Sequence, residues 1–155
     1  MTWVSDQLKT AYLALSPTPA TLEDAVAILT AQTDTITVDV PIQSVAAYIG
    51  LVGKLGLLQS FATNPPSGAS AASVGAAQAL WDMIQFPASF PPFAMTNPAT
   101  ASQIEAMFAA LVSPGTGITG PLSSADQTQI LALATQTVPR WQPAPTVGDL
   151  ESAIG

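Results

Sequence analysis

The chain contains no histidine and no cysteine, and only three of its 155 residues are Lys or Arg. Without His or Cys there is no imidazole base, no thiol nucleophile, no disulfide and no His/Cys metal site. The three cations, Lys9, Lys54 and Arg140, lie far apart in sequence, which excludes a basic phosphate-binding stripe and hence a nucleic-acid partner. Charged residues make up 8% of the chain, against about a quarter in ordinary soluble domains. The ten acids leave a net charge of −7, too dilute for a polyanionic tail. A disulfide-free chain suits reducing and oxidising compartments alike. The first 15 residues lack the basic start and clean apolar run of a secretory signal, so none is expected.

What is present is apolar and punctuated: 48% hydrophobic residues, 14 Pro and 10 Gly. Trp3, Leu8, Tyr12 and Leu15 recur at helical spacing, predicting a helix over 2–15 that Pro17 and Pro19 end. Thr21 precedes Glu23 and Asp24 as an N-cap does, with Leu22, Ala25, Val26 and Leu29 as the apolar stripe. Residues 35–41 alternate β-branched and polar residues and form the one convincing strand pattern. A lone strand forms no sheet, so this segment is an extended connector or an edge that pairs with another chain. Residues 42–62 predict a long central helix, weakened by Gly50, Gly53 and Gly56, which close helix packing would offset.

Further helices are expected over 69–86, from a cap at Thr100 or Ser102 with Glu105 completing a capping box, from Ser123 or Ser124 with Asp126, and from Thr146 with Asp149. Half of the acids, Glu23, Asp24, Glu105, Asp126 and Asp149, are thereby assigned to first turns of helices. The expected fold is mostly α: a single helical domain over 1–155, a compact bundle of about six helices with proline-rich loops and one short extended segment. The break at 64–68 would leave halves too small for good cores. One internal echo stands out: Leu29-Thr-Ala-Gln-Thr33 and Leu133-Ala-Thr-Gln-Thr137 each end a helix before a proline-marked extended stretch.

Candidate sites are few. Asp34 and Asp39 could pair as carboxylates, but their spacing puts them on opposite faces of a strand, and turn or solvent-facing roles fit better. The three glycines match no phosphate-binding motif, and close helix packing or kinking accounts for them better. Lys54 in its apolar stretch reads as a side chain snorkelling from a helix edge. Residues 42–62 are long enough to span a bilayer, though Lys54 at the centre argues against spanning. Partner contacts are expected instead at Arg140 and Trp141, at Phe86, Phe90 and Phe93 in the proline-rich loop, and at Ile36 and Val38. No catalytic, cofactor or metal residues are assigned, and no small-molecule substrate.

Three places carry a resemblance to a known group: Leu29–Pro41, the apolar stretch Tyr48–Leu58, and Thr137-Val-Pro-Arg-Trp-Gln142 with Pro145-Thr-Val-Gly-Asp-Leu150. In the order of these elements the chain resembles small helical structural and assembly proteins of tailed bacteriophages. The resemblance implies a non-enzymatic, tail-associated virion component, assembled in the host cytoplasm, whose partners are other virion proteins or copies of itself. The alternative is a membrane-associated helical protein using residues 42–62. An enzyme would have to work through Asp, Ser or Lys in arrangements the sequence does not display.

Overall fold

The computed structural model describes residues 3–155. The expected mostly helical class holds, with eight α-helices among these residues and one two-stranded sheet. Contacts gather into two compact units, 1–36 with 137–155, and 37–136. The break weighed at 64–68 lies inside the second unit, and the division falls instead across the two extended segments.

In the first unit, α1 (Ser5–Leu13), α2 (Leu22–Thr30) and α8 (Val147–Ile154) pack together. The expected start of the first helix at Thr2 lies outside the described residues. Local chemistry sets the other starts. The Thr21 hydroxyl accepts the Asp24 N–H at 3.1 Å, and Thr146 and Asp149 form a reciprocal capping box. Leu8, Ala25, Leu29, Trp141 and Leu150 form the core.

The second unit contains α3 (Ile42–Leu51), α4 (Leu55–Thr63), α5 (Ala71–Gln85), a 3₁₀ turn (Pro87–Ser89), α6 (Pro98–Val112) and α7 (Ser124–Ala132). Helix α5 packs on α3, α4 and α6, and α7 on α6. Ile49, Leu58, Leu80, Phe108 and Leu111 are at the centre of its core. The single helix expected over 42–62 is broken. The chain turns through 107° between α3 and α4, at Gly53, whose φ of +73° is a conformation only glycine adopts without strain. With that split the described residues form eight helices where about six were expected. No single described helix is long and apolar enough to cross a membrane; α3 and α4 meet that test only together, as a bent pair.

Three further expectations are corrected. Gly53 and Gly56 have open space where a Cβ would sit, so they do not serve close helix packing; Gly50 alone approaches a neighbour, Leu55. Helix α6 starts at Pro98 and not near Ser102: Asn97 accepts the N–H groups of Ala99 and Thr100, and Pro98 fits the first turn because its missing N–H would be unpaired there anyway. Glu105 therefore sits mid-helix, outside any capping box.

The strand expected at 35–41 is β1 (Thr33–Thr37), and its partner is β2 (Thr135–Pro139) of the same chain, not a neighbour's strand. The echo noted in the sequence is this pair. At the ribbon's ends, Val38 N–H donates to Ala134 O at 2.7 Å and Arg140 N–H to Gln32 O at 3.0 Å. These two bonds make the pairing antiparallel and set Thr35 opposite Thr137.

Candidate functional site

The most concentrated chemistry in the molecule is at the start of α7. Asp126 is 5% exposed, and its carboxylate accepts from the Lys54 ammonium, from the Tyr48 hydroxyl at 2.9 Å and from the Ser123 N–H at 2.9 Å. Ser123 in return accepts the Asp126 N–H, completing the capping box expected from sequence. Burial alone would raise this carboxyl's pKa, but the bonds from Lys54, Ser123 and Tyr48 outweigh it and hold the group far below the usual carboxylate range. The Tyr48 phenol is shifted up, by desolvation and by the anion it donates to. This carboxylate already accepts three hydrogen bonds, and its shift runs away from that of a general acid. It anchors the α3–α4 corner to α7. Lys54, expected to snorkel, is instead half of this ion pair.

Among the described residues, no three His, Cys, Asp or Glu side chains gather as a metal site would require. Asp34 and Asp39 do not meet: Asp34 pairs with Arg140, while Asp39 accepts from the Thr96 N–H and hydroxyl.

The residues expected to make partner contacts fall into two places. The first place is the β ribbon, but it does not gather them: Ile36 and Val38 lie at one end, and Arg140 and Trp141 follow β2 at the other. Arg140 Nε donates to Asp34 Oδ1 at 2.9 Å, both side chains 48% exposed. Trp141 turns the other way. It is 7% exposed, donates from Nε1 to Gln32 Oε1 at 3.0 Å and meets Trp3 edge-on at 6.1 Å between ring centroids. Ile36 is exposed and Val38 half-buried.

Phe86, Phe90 and Phe93 form the second place and diverge. Phe93 is buried, paired through its backbone with Val40 and packed edge-on against Phe108. Phe86 is 61% exposed. Phe90 lines an open groove of about 340 Å³ with Met83, Pro91, Pro92, Ile104 and Met107. Thr100 and Gln103 add its few polar atoms.

The sequence marked the 35–41 segment as a possible pairing edge but not which of its residues face outward. With Thr35 opposite Thr137, the backbone groups of Asp34 and Ile36 face β2, while those of Thr33, Thr35 and Thr37 face away. None of these outward groups bonds to another part of the described chain, and all five β1 residues are exposed. On β2 the outward positions are Thr135, Thr137 and Pro139, the last without an N–H. Alternation of threonines around the echoed Gln-Thr pairs is the signal that marks both strands.

Comparison with family models, curated proteins and solved structures returns no match for this chain.

Proposed function

We propose that the chain is a non-enzymatic structural protein of a tailed-phage virion, associated with the tail, that works through protein–protein contacts in a symmetric assembly. The observation that carries this reading is the pairing of charge. Two of the three cations are consumed within the chain, Lys54 by Asp126 and Arg140 by Asp34. The one buried carboxylate among the described residues, Asp126, is held by three hydrogen bonds. The acids remain at the surface, but between them lie uncharged patches: Leu51 at 86% exposure on the α3–α4 corner, Phe86, the Phe90 groove and the threonines of the strand edges. Lone soluble proteins keep such surfaces dispersed with Lys and Glu, whereas surfaces destined for contact are depleted in them. The phage setting comes from the sequence resemblance alone.

Mass spectrometry of purified virions from the phage whose genome encodes the chain is the test. The chain is expected at a copy number matching the particle's symmetry. Its absence from washed, infectious particles would overturn the proposal. The membrane-associated alternative has one supporting feature, the exposed apolar side chains of Leu51, Val52 and Leu57 around the bend. Against it, the opposite sides of α3 and α4 are committed to the unit's core through Ile42, Val45, Ile49, Leu58 and Phe61.

A further inference from the structure

From the backbone of β1 we infer that this strand is a pairing edge whose occupant is β1 of a second copy, joined antiparallel about a two-fold axis at Thr35 into a four-stranded sheet. The inference deepens the assembly reading above and takes its biological setting from it.

Four observations carry it. First, β1 exposes an uninterrupted edge: Thr33, Thr35 and Thr37 each turn their N–H and C=O away from β2, with no partner in the described chain. Second, the edge is lightly protected. Natural edges are blunted by charged side chains, proline, bulges or a covering segment; β1 has no proline, its one charge, Asp34, is paired with Arg140, and its other residues are β-branched. Third, the edge is self-complementary. A two-fold at Thr35 places Thr33 opposite Thr37 of the second copy, so the outward groups of both strands meet in roughly six hydrogen bonds. The same register aligns threonines with threonines on one face and places Asp34 beside Ile36 of the second copy on the other. No like charges oppose one another, and Asp34 is already neutralised by Arg140. Fourth, the ribbon's other edge is capped at one end: Pro139 occupies an outward position of β2 and offers no N–H. Pairing of β1 with β1 about a two-fold axis is isologous, so that contact closes as a dimer.

Two ribbons of two strands are each marginal alone, whereas four strands share a continuous ladder. Each copy carries a net charge of −7, so salt, by screening the repulsion, tightens the association.

Sedimentation velocity on the full chain, with hydrogen exchange read at the Thr35 amide, tests the inference. The expected result is a dimer in which the Thr35 N–H is protected, protection that falls on dilution to the monomer. Thr35→Pro removes that N–H without touching the ladder to β2, because the group faces outward. Thr35→Lys adds an unpaired charge to the edge and leaves the backbone free. Both should weaken dimerisation about tenfold or more with the circular dichroism spectrum unchanged. A wild-type chain that stays monomeric at high concentration and high salt overturns the inference, as does a dimer whose Thr35 amide exchanges freely. So does a dimer unaffected by Thr35→Lys. None of these outcomes touches the virion reading, which stands or falls on the mass spectrometry of particles.

Discussion

The Tyr48 hydroxyl donates to Oδ1 of Asp126 at 2.9 Å across 78 residues of sequence, and the Lys54 ammonium closes the carboxylate's other oxygen from the opposite side of the α3–α4 bend. One carboxylate thereby ties the end of α3, the entry to α4 and the first turn of α7. Removing one partner of such a pair leaves the other desolvated and unmatched. Lys54→Met is expected to lower stability by about 2–3 kcal/mol, less than for a fully buried pair because the lysine retains some solvent. Asp126→Ala also removes the reciprocal half of the capping box, its bond from the Ser123 N–H, and should cost at least as much. Urea denaturation of the three proteins measures both. A change below about 0.5 kcal/mol for Lys54→Met would reduce the pair to an ordinary surface contact.

The same carboxylate sets the direction of the acid response. Its folded-state pKa lies well below the ordinary 3.8, so in acid the unfolded chain takes up this proton first. The stabilisation is full above the unfolded pKa and is lost as the pH falls through that value toward the folded one. Between about pH 5 and 2, wild-type stability should therefore fall more steeply than that of Asp126→Asn. Tyr48 works in the opposite sense: its raised pKa gives a contribution that is present below 10 and lost as the pH rises above it. Denaturation midpoints across the two ranges, compared with Asp126→Asn and Tyr48→Phe, check each limb. Parallel wild-type and Asp126→Asn curves in acid would show that this group does not drive the acid loss.

Local chemistry was readable in the sequence, and long-range pairing was not. The caps at Thr21, Ser123 and Thr146 involve partners three residues away, so spacing alone revealed them. The start of α6 was misplaced because Thr100 and Ser102 resemble caps, whereas the real signal, Asn97 before Pro98, depends on proline being tolerated in a first turn. A kink was one of two readings of the glycines, but a full break at Gly53 was hidden for a different reason. Tyr48, Val52, Leu55 and Leu58 keep helical spacing across it, so a periodic pattern runs through a place where the backbone turns. Strand β2 has only Val138 as an apolar β-former among threonines, glutamine and proline, and its identity depends on β1 lying beside it. The contact candidates divided for a related reason: Trp141 and Arg140 are neighbours in sequence, but a strand's end sends adjacent side chains to opposite sides.

The glycines around the bend should respond to alanine with opposite signs. Gly53→Ala meets no atom, so its cost is conformational alone: about 1 kcal/mol for holding a Cβ at positive φ. Gly56 lies within α4, also with open space around a Cβ, and Gly56→Ala should stabilise by about 0.5–1 kcal/mol through helix propensity and a less flexible unfolded chain. Paired thermal and urea melts decide the matter. Equal destabilisation by both substitutions would mean that the two glycines serve close packing after all, as the sequence first suggested.

Arg140 and Trp141 read together as one contact anchor in the sequence, yet their surroundings assign them separate energetic roles. Arg140 pairs with Asp34 where both side chains are about half exposed, an arrangement that salt screens and that contributes about 0–1 kcal/mol. Trp141 fills the core of the first unit with Leu8, Leu29 and Leu150, and its indole N–H is matched by Gln32. Trp141→Ala leaves a cavity there and the Gln32 oxygen without its donor, for an expected loss of about 3–5 kcal/mol. Arg140→Ala should change stability by less than about 1 kcal/mol at physiological salt. Indole emission gives an independent readout, because Trp3 meets Trp141 edge-on and should move to a more polar environment when its neighbour is removed. A stability loss for Arg140→Ala equal to that for Trp141→Ala would mean that the exposed ion pair, and not the buried indole, holds the ribbon's end in place.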